Sequence, residues 1–109
     1  MGMGEQLRMT LQTKLVLRAL SKNPLKLRYG LDISKKAGLP SGTIYPILAR
    51  LERAGLLRSA WENIDPSEQG RPRRRHYWLT GEGVTTARRV TAGLPELPWG
   101  SSSPGDVGP

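Results

Sequence analysis

The chain has 109 residues and a mass of 12.0 kDa, one domain's worth, which excludes an enzyme with separate cofactor and substrate domains. Seventeen Lys and Arg against nine Asp and Glu leave a net charge of +8, a surplus that favours polyanionic partners, nucleic acid first. With no Cys and a single His, His76, disulfide frameworks, thiol nucleophiles and metal clusters are excluded, and no cofactor is expected. Neither a run of about 18 apolar residues nor a secretory leader is present, so no membrane partner and a cytoplasmic location are expected.

The charge divides the chain into unlike parts. Residues 1–92 hold all 17 basic and 7 acidic residues, whereas 93–109 hold only Glu96 and Asp106. We read 1–9 as a flexible N-terminal segment, 10–92 as the folded domain, and the Gly-, Pro- and Ser-rich 93–109 as a disordered tail, Trp99 included. Within the domain, Leu11, Leu15, Val16, Ala19 and Leu20 recur at helical spacing after Thr10, a good N-cap, and Asn23-Pro24 stops the run. The spacing predicts a helix over 11–21. At about 100° per residue its apolar residues cover more than half the circumference. Such an arc is either enclosed by its own domain or shared with a second subunit.

After the connection Asn23-Pro-Leu-Lys-Leu-Arg28, a short helix is expected over Tyr29–Ala37, capped by Gly38. Leu39-Pro40 bars its continuation. Ser41 is the expected N-cap of a third helix, with Ile44, Ile47, Leu48 and Leu51 at i, i+3, i+4 and i+7 and an end at Ala54-Gly55. Two helices joined by so short a turn make a helix-turn-helix. Leu56–Glu62 alternates like a half-buried strand, the loop Asn63–Pro72 follows, and Arg73–Leu79 returns as its partner. Thr80 then caps a last helix over 81–92 that carries Val84, Ala87, Val90 and the pair Arg88-Arg89.

The expected fold is mainly α with a small β component (α+β): a winged helix-turn-helix of three helices, a two-stranded β wing and one C-terminal helix. In that arrangement the third helix enters the major groove and the ribbon reaches the backbone or a minor groove. With its apolar stripe inward, the third helix turns Gly42, Pro46, Ala49 and Arg53 outward, flanked by Thr43, Tyr45 and Arg50. Small and compact residues there let a helix axis approach a groove closely. Pro46, past the first turn, removes a backbone hydrogen bond and crowds the Gly42 carbonyl. The second cluster is Gly70-Arg71-Pro72-Arg73-Arg74-Arg75, four arginines in five positions at the wing, suited to phosphates or a narrow minor groove. His76, Trp61 and Trp78 are read as surface or packing residues. Asp32, Glu52, Glu62, Asp65, Glu68 and Glu82 form no catalytic pair, and no nucleophile stands beside a base.

Taken together, Tyr29-Gly30, Gly42-Thr43-Ile44-Tyr45-Pro46, Leu51-Glu52 with Gly55-Leu56, Gly70-Arg71-Pro72, Tyr77 to Thr80 and Glu82-Gly83 resemble the PadR family of bacterial winged-helix transcriptional regulators over about residues 9–90. The resemblance implies a non-enzymatic homodimer that binds double-stranded operator DNA, usually as a repressor. It implies DNA contacts from Tyr29, Lys35, Ser41, Gly42, Thr43, Tyr45, Pro46, Arg50, Arg53, Arg71, Arg73 and Arg74. Some family members answer to a small-molecule effector such as a phenolic acid or a drug. The long C-terminal helical segment that commonly serves dimerisation and effector binding is not matched here, so dimer contacts are expected from Leu11, Leu15 and Leu17 on the first helix and Val84 and Val90 on the last. Trp78 stands where the family often has a basic residue. The rival reading is a winged-helix module that binds protein or RNA without operator specificity.

Overall fold

The structure, a computed structural model, describes residues 8–24 and 26–95. Most of the expected N-terminal segment, and the tail from residue 96 onward with Trp99, lie outside the described residues. Among the described residues, five helices and a three-stranded antiparallel sheet follow in the order α1 (Leu11–Ser21), β1 (Arg28–Tyr29), α2 (Gly30–Ala37), α3 (Ser41–Arg53), β2 (Leu57–Trp61), α4 (Pro66–Gln69), β3 (Arg75–Leu79) and α5 (Gly81–Thr91). This is a winged helix-turn-helix. It has one more strand and one more short helix than the sequence suggested.

Helix α1 begins where expected. The Thr10 hydroxyl accepts from the Thr13 N–H at 3.2 Å and so satisfies one of the otherwise unpaired first-turn donors. Its apolar arc is enclosed by the domain itself: Leu15, Val16, Leu17, Ala19 and Leu20 are all at most 5% exposed, held among α2, α3 and α5. Of the residues assigned from sequence to a second subunit, Leu15 and Leu17 are therefore core residues of their own chain. Leu11 stays exposed, and Val84 and Val90 on α5 are half-buried against the core.

Helix α2 starts one residue later than expected. Tyr29 has extended backbone, serves as N-cap, and belongs to β1, while Gly38 closes the helix in the left-handed conformation at φ 72°. Helix α3 is capped by the extended Pro40, which moves Ser41 from the expected cap into the first helical position. The correction has a plain cause, because Pro40 keeps its fixed φ in an extended conformation while its carbonyl already accepts from the Thr43 and Ile44 N–H groups, which makes it the cap. Ile44, Ile47, Leu48 and Leu51 are buried, and the helix runs through Pro46 to Arg53. Beyond it the Leu56 N–H returns to the Leu51 carbonyl at 3.0 Å, a turn that feeds directly into the wing.

In the sheet β3 is central, with β2 on one side and the two-residue β1 on the other. Leu57 faces Leu79, Ser59 faces Tyr77, and Tyr29 of β1 faces His76. One sheet face buries Leu57, Tyr77 and Leu79 in the core shared with the helices. Inside the expected loop, Asp65 caps α4 by accepting from the Ser67 N–H at 3.0 Å, with Pro66 at the first helical position.

Burial separates two leucines of one helix. Leu17→Ala is expected to lower unfolding free energy by about 2–5 kcal/mol through cavity formation, while Leu11→Ala stays within about 0.5 kcal/mol; urea unfolding followed by circular dichroism measures both.

Candidate nucleic-acid interface

The stripe that buries Ile44, Ile47, Leu48 and Leu51 necessarily turns the other side of α3 away from the core. Gly42, Tyr45, Pro46, Ala49, Arg50 and Arg53 are exposed there or partly so, and Ser41 and Thr43 are half-buried. The face is thus compact and almost neutral along its first two turns, with its cations, Arg50 and Arg53, in the last turn. Tyr45 leans back over the start of α2, and a Cβ at Gly30 would overlap its ring and hydroxyl. A side chain at position 30 would therefore push the Tyr45 ring out of this place.

Beside α3, a cleft of about 600 Å³ opens between the start of α2 and the wing. It brings together Tyr29, Lys35, Tyr45, Arg73 and Arg74 of the residues expected from sequence, and adds Trp61, Arg75 and Tyr77. Ser41, Gly42, Thr43, Pro46, Arg50 and Arg53 lie outside this cleft along α3, and Arg71 lies outside it at the wing. Trp61 was read from sequence as a packing residue, yet it is 59% exposed, with the Arg75 guanidinium 5.1 Å above its ring. Its place at the outer end of β2, beyond the reach of the helices, explains the exposure.

The four wing arginines have four different fates. Arg71 donates through both terminal nitrogens to the Glu62 carboxylate, at 2.7 and 3.2 Å, and its side chain is 30% exposed. Arg73 donates to the Ile64 carbonyl at 3.0 Å and remains exposed. Arg74, also exposed, lies 4.7 Å from the centre of the Tyr29 ring, which stacks on His76 at 4.5 Å. Arg75 donates to the Ser59 hydroxyl at 3.0 Å, and that hydroxyl in turn donates to Glu52 of α3 at 2.9 Å. This last chain ties the wing to the recognition-type helix. The repulsion expected among four neighbouring like charges is relieved by specific partners for each.

Glu62, read from sequence only as an acid without a catalytic partner, is the hub of the wing's hydrogen bonds. Just past β2, it accepts from the Tyr29 hydroxyl at 3.1 Å and the Arg74 N–H at 3.0 Å as well as from Arg71. Its own N–H donates to the Arg74 carbonyl at 2.8 Å, extending the ribbon past the last strand residues. Hydrogen bonds from Arg71 foremost, then from the Arg74 backbone and Tyr29, outweigh its partial burial and hold the carboxyl down at about 2. The only advance signal was an acid placed to face the arginines across a hairpin.

Because this carboxylate has a lower pKa in the folded than in the unfolded chain, the stability that it contributes is present above its ordinary value of 4.5 and is lost as pH falls from there through about 2. In Glu62→Gln the acid-side decline of the melting temperature is therefore expected to be shallower between those two values. Thermal melts across that range measure it.

Among the described residues no group of His, Cys, Asp and Glu is placed to hold a metal ion, and no helix is long and apolar enough to cross a membrane. Solved structures share the fold. PcaV, a transcriptional regulator from Streptomyces coelicolor solved in complex with its natural ligand, is 28% identical with a TM-score of 0.63, over 77% of this chain and 54% of PcaV. A DNA-binding protein from Ralstonia eutropha JMP134, so described provisionally, is 26% identical with a TM-score of 0.59, over 81% of this chain and 100% of that one. MepR, a transcription regulator of the Staphylococcus aureus multidrug efflux pump MepA, is 24% identical with a TM-score of 0.61 over 81% of this chain and 59% of its own, a likeness of fold alone. The chain thus spans about half the length of PcaV. No curated protein matches it in sequence. The model of the transcriptional regulator PadR-like family matches residues 16–89, most of the folded domain and more than half of the chain, and the protein belongs to that family.

Proposed function

We propose that this PadR-like regulator binds operator DNA as a homodimer, with α3 in the major groove and the wing along the backbone, and that it acts as a repressor. The observation that carries the reading is the outward face of α3, where Gly42, Tyr45, Pro46 and Ala49 stand outward without a charge among them. A solvated helix face ordinarily gathers Glu and Lys, whereas a groove-facing helix gains from a low profile that admits close approach. Thr43, Tyr45 and Arg50 supply hydroxyl, aromatic and guanidinium groups for base edges. Arg73, Arg74 and Lys35 frame the adjacent cleft together with Tyr29 and supply phosphate contacts, and Ser41 adds a hydroxyl at the start of α3. Dimer contact falls to Leu11 and to the half-buried Val84 and Val90.

Selection of bound sequences from random DNA tests the reading, since a dimer recovers a palindrome with half-sites about one helical turn apart. A positioned base contact is worth about 1–3 kcal/mol of discrimination, while a phosphate contact weakens binding to all sequences alike when it is removed. Tyr45→Ala and Arg50→Ala are therefore expected to lose more affinity for the selected site than for random DNA. Arg74→Ala is expected to lose similar amounts on both. Equal affinity of the wild-type protein for every sequence would reject operator recognition. A sedimentation profile that stays monomeric on the selected site would reject the homodimer.

A further inference from the structure

Of the three acids between β2 and β3, Glu62, Asp65 and Glu68, Glu62 faces the wing arginines most directly. Glu62 gathers donors from three separate segments: Tyr29 at the N-cap of α2, Arg71 at the wing tip, and the backbone of Arg74 at the root of β3. Its side chain is only 8% exposed. The residue that it holds by the backbone, Arg74, also rests its guanidinium over the ring of Tyr29, the residue that Glu62 holds by the hydroxyl. Arg73, next in the chain, reaches back to Ile64, two residues after Glu62. One carboxylate thereby fixes both the path of the ribbon and its distance from the helix-turn-helix.

We propose that Glu62 is a positioning residue for DNA binding: a carboxylate that touches no nucleic acid but sets Arg73 and Arg74 at the spacing the backbone requires. The inference rests on the DNA-binding reading above and makes a prediction opposite in sign to simple electrostatics. A negative charge beside a phosphate-binding surface repels DNA, so its removal should tighten binding if it did nothing else. A positioning role makes the same change weaken binding.

The test is titration of a fluorescein-labelled mixed-sequence DNA duplex by fluorescence anisotropy at several salt concentrations, with wild type, Glu62→Gln, Glu68→Gln and Arg71→Lys. Near 0.1 M salt the removal of one phosphate interaction weakens binding about eightfold and reduces the slope of log K against log salt by about 0.9. Glu62→Gln is expected to weaken binding by at least that factor and to flatten the slope accordingly. Glu68→Gln removes the same charge from an exposed position on α4 and is expected to bind as wild type or more tightly. Arg71→Lys keeps the net charge but cannot present the two-nitrogen fork to Glu62, and it is expected to weaken binding in the same direction as Glu62→Gln. Circular dichroism melts identify folded variants, and if Glu62→Gln does not fold, Arg71→Lys decides alone. Folded Glu62→Gln, or in its stead Arg71→Lys, that binds as tightly as wild type with an unchanged salt slope overturns the proposal. Wild-type protein with no affinity for the duplex overturns the DNA reading and this inference with it, and the wild-type titration alone distinguishes that result.

Discussion

Leu15, Val16, Leu17, Ala19 and Leu20 make more than half the circumference of α1 apolar, and a chain this short must find neighbours for that arc on several sides at once. Helices α2, α3 and α5 supply them. Once α3 commits Ile44, Ile47, Leu48 and Leu51 to the shared core, its opposite side faces away from that core, and the face available for recognition is set by that burial. The sheet closes the remaining side with Leu57, Tyr77 and Leu79. Enclosure of one helix therefore decides the direction in which another can meet a partner.

A second constraint acts on the surface. Four arginines in five positions favour neither a compact turn nor a defined ribbon, because each must keep its charge near water or near an acid. The fold separates them by giving each a different partner: Glu62 for Arg71, the Ile64 carbonyl for Arg73, the Tyr29 ring for Arg74 and the Ser59 hydroxyl for Arg75. Two of these links run from the wing to the helical body, through Tyr29 to the N-cap of α2 and through Ser59 and Glu52 to α3. A wing so tied moves with the helix-turn-helix, and their relative spacing is built in before any ligand arrives.

What the sequence made legible is what has a period or a strong terminal signal. The boundaries of α1 and α5, the Gly38 cap and the inner stripe of α3 all follow from side chains repeated every turn or from residues suited to a cap. Strand β1 was missed because two residues have no period; its existence depends on β3 lying alongside, a fact of tertiary packing. The short α4 is likewise below the length at which periodicity speaks, although Asp65-Pro66 has the grammar of a helix start. Leu15 and Leu17 show the limit in the other direction: an apolar arc announces that something will cover it, without saying whether the cover is the same chain or another. The candidate interface divides the same way. The outward face of α3 could be read from the stripe that it opposes, whereas the pairing of Arg71 with Glu62, nine residues apart, required the hairpin between them.

These partners change what the net charge of +8 is worth at an interface. Arg71 is neutralised by Glu62, and Arg75 is turned inward toward Ser59, so the exposed cations of the cluster reduce to Arg73 and Arg74. On α3, Arg50 stands in the last turn, where the helix dipole favours a positive charge, while the first turns are neutral. Electrostatic attraction to a polyanion is thus strongest at the edges of the surface, over the wing and the far end of α3, and weakest in the middle. Attraction at the edges acts on phosphates and is blind to sequence. A neutral, low-profile centre adds little to that blind term, which leaves close contact with base edges as the way for it to contribute. On the proposed DNA-binding reading, the division of charge within this small domain separates the part that would hold nucleic acid from the part that would tell one sequence from another.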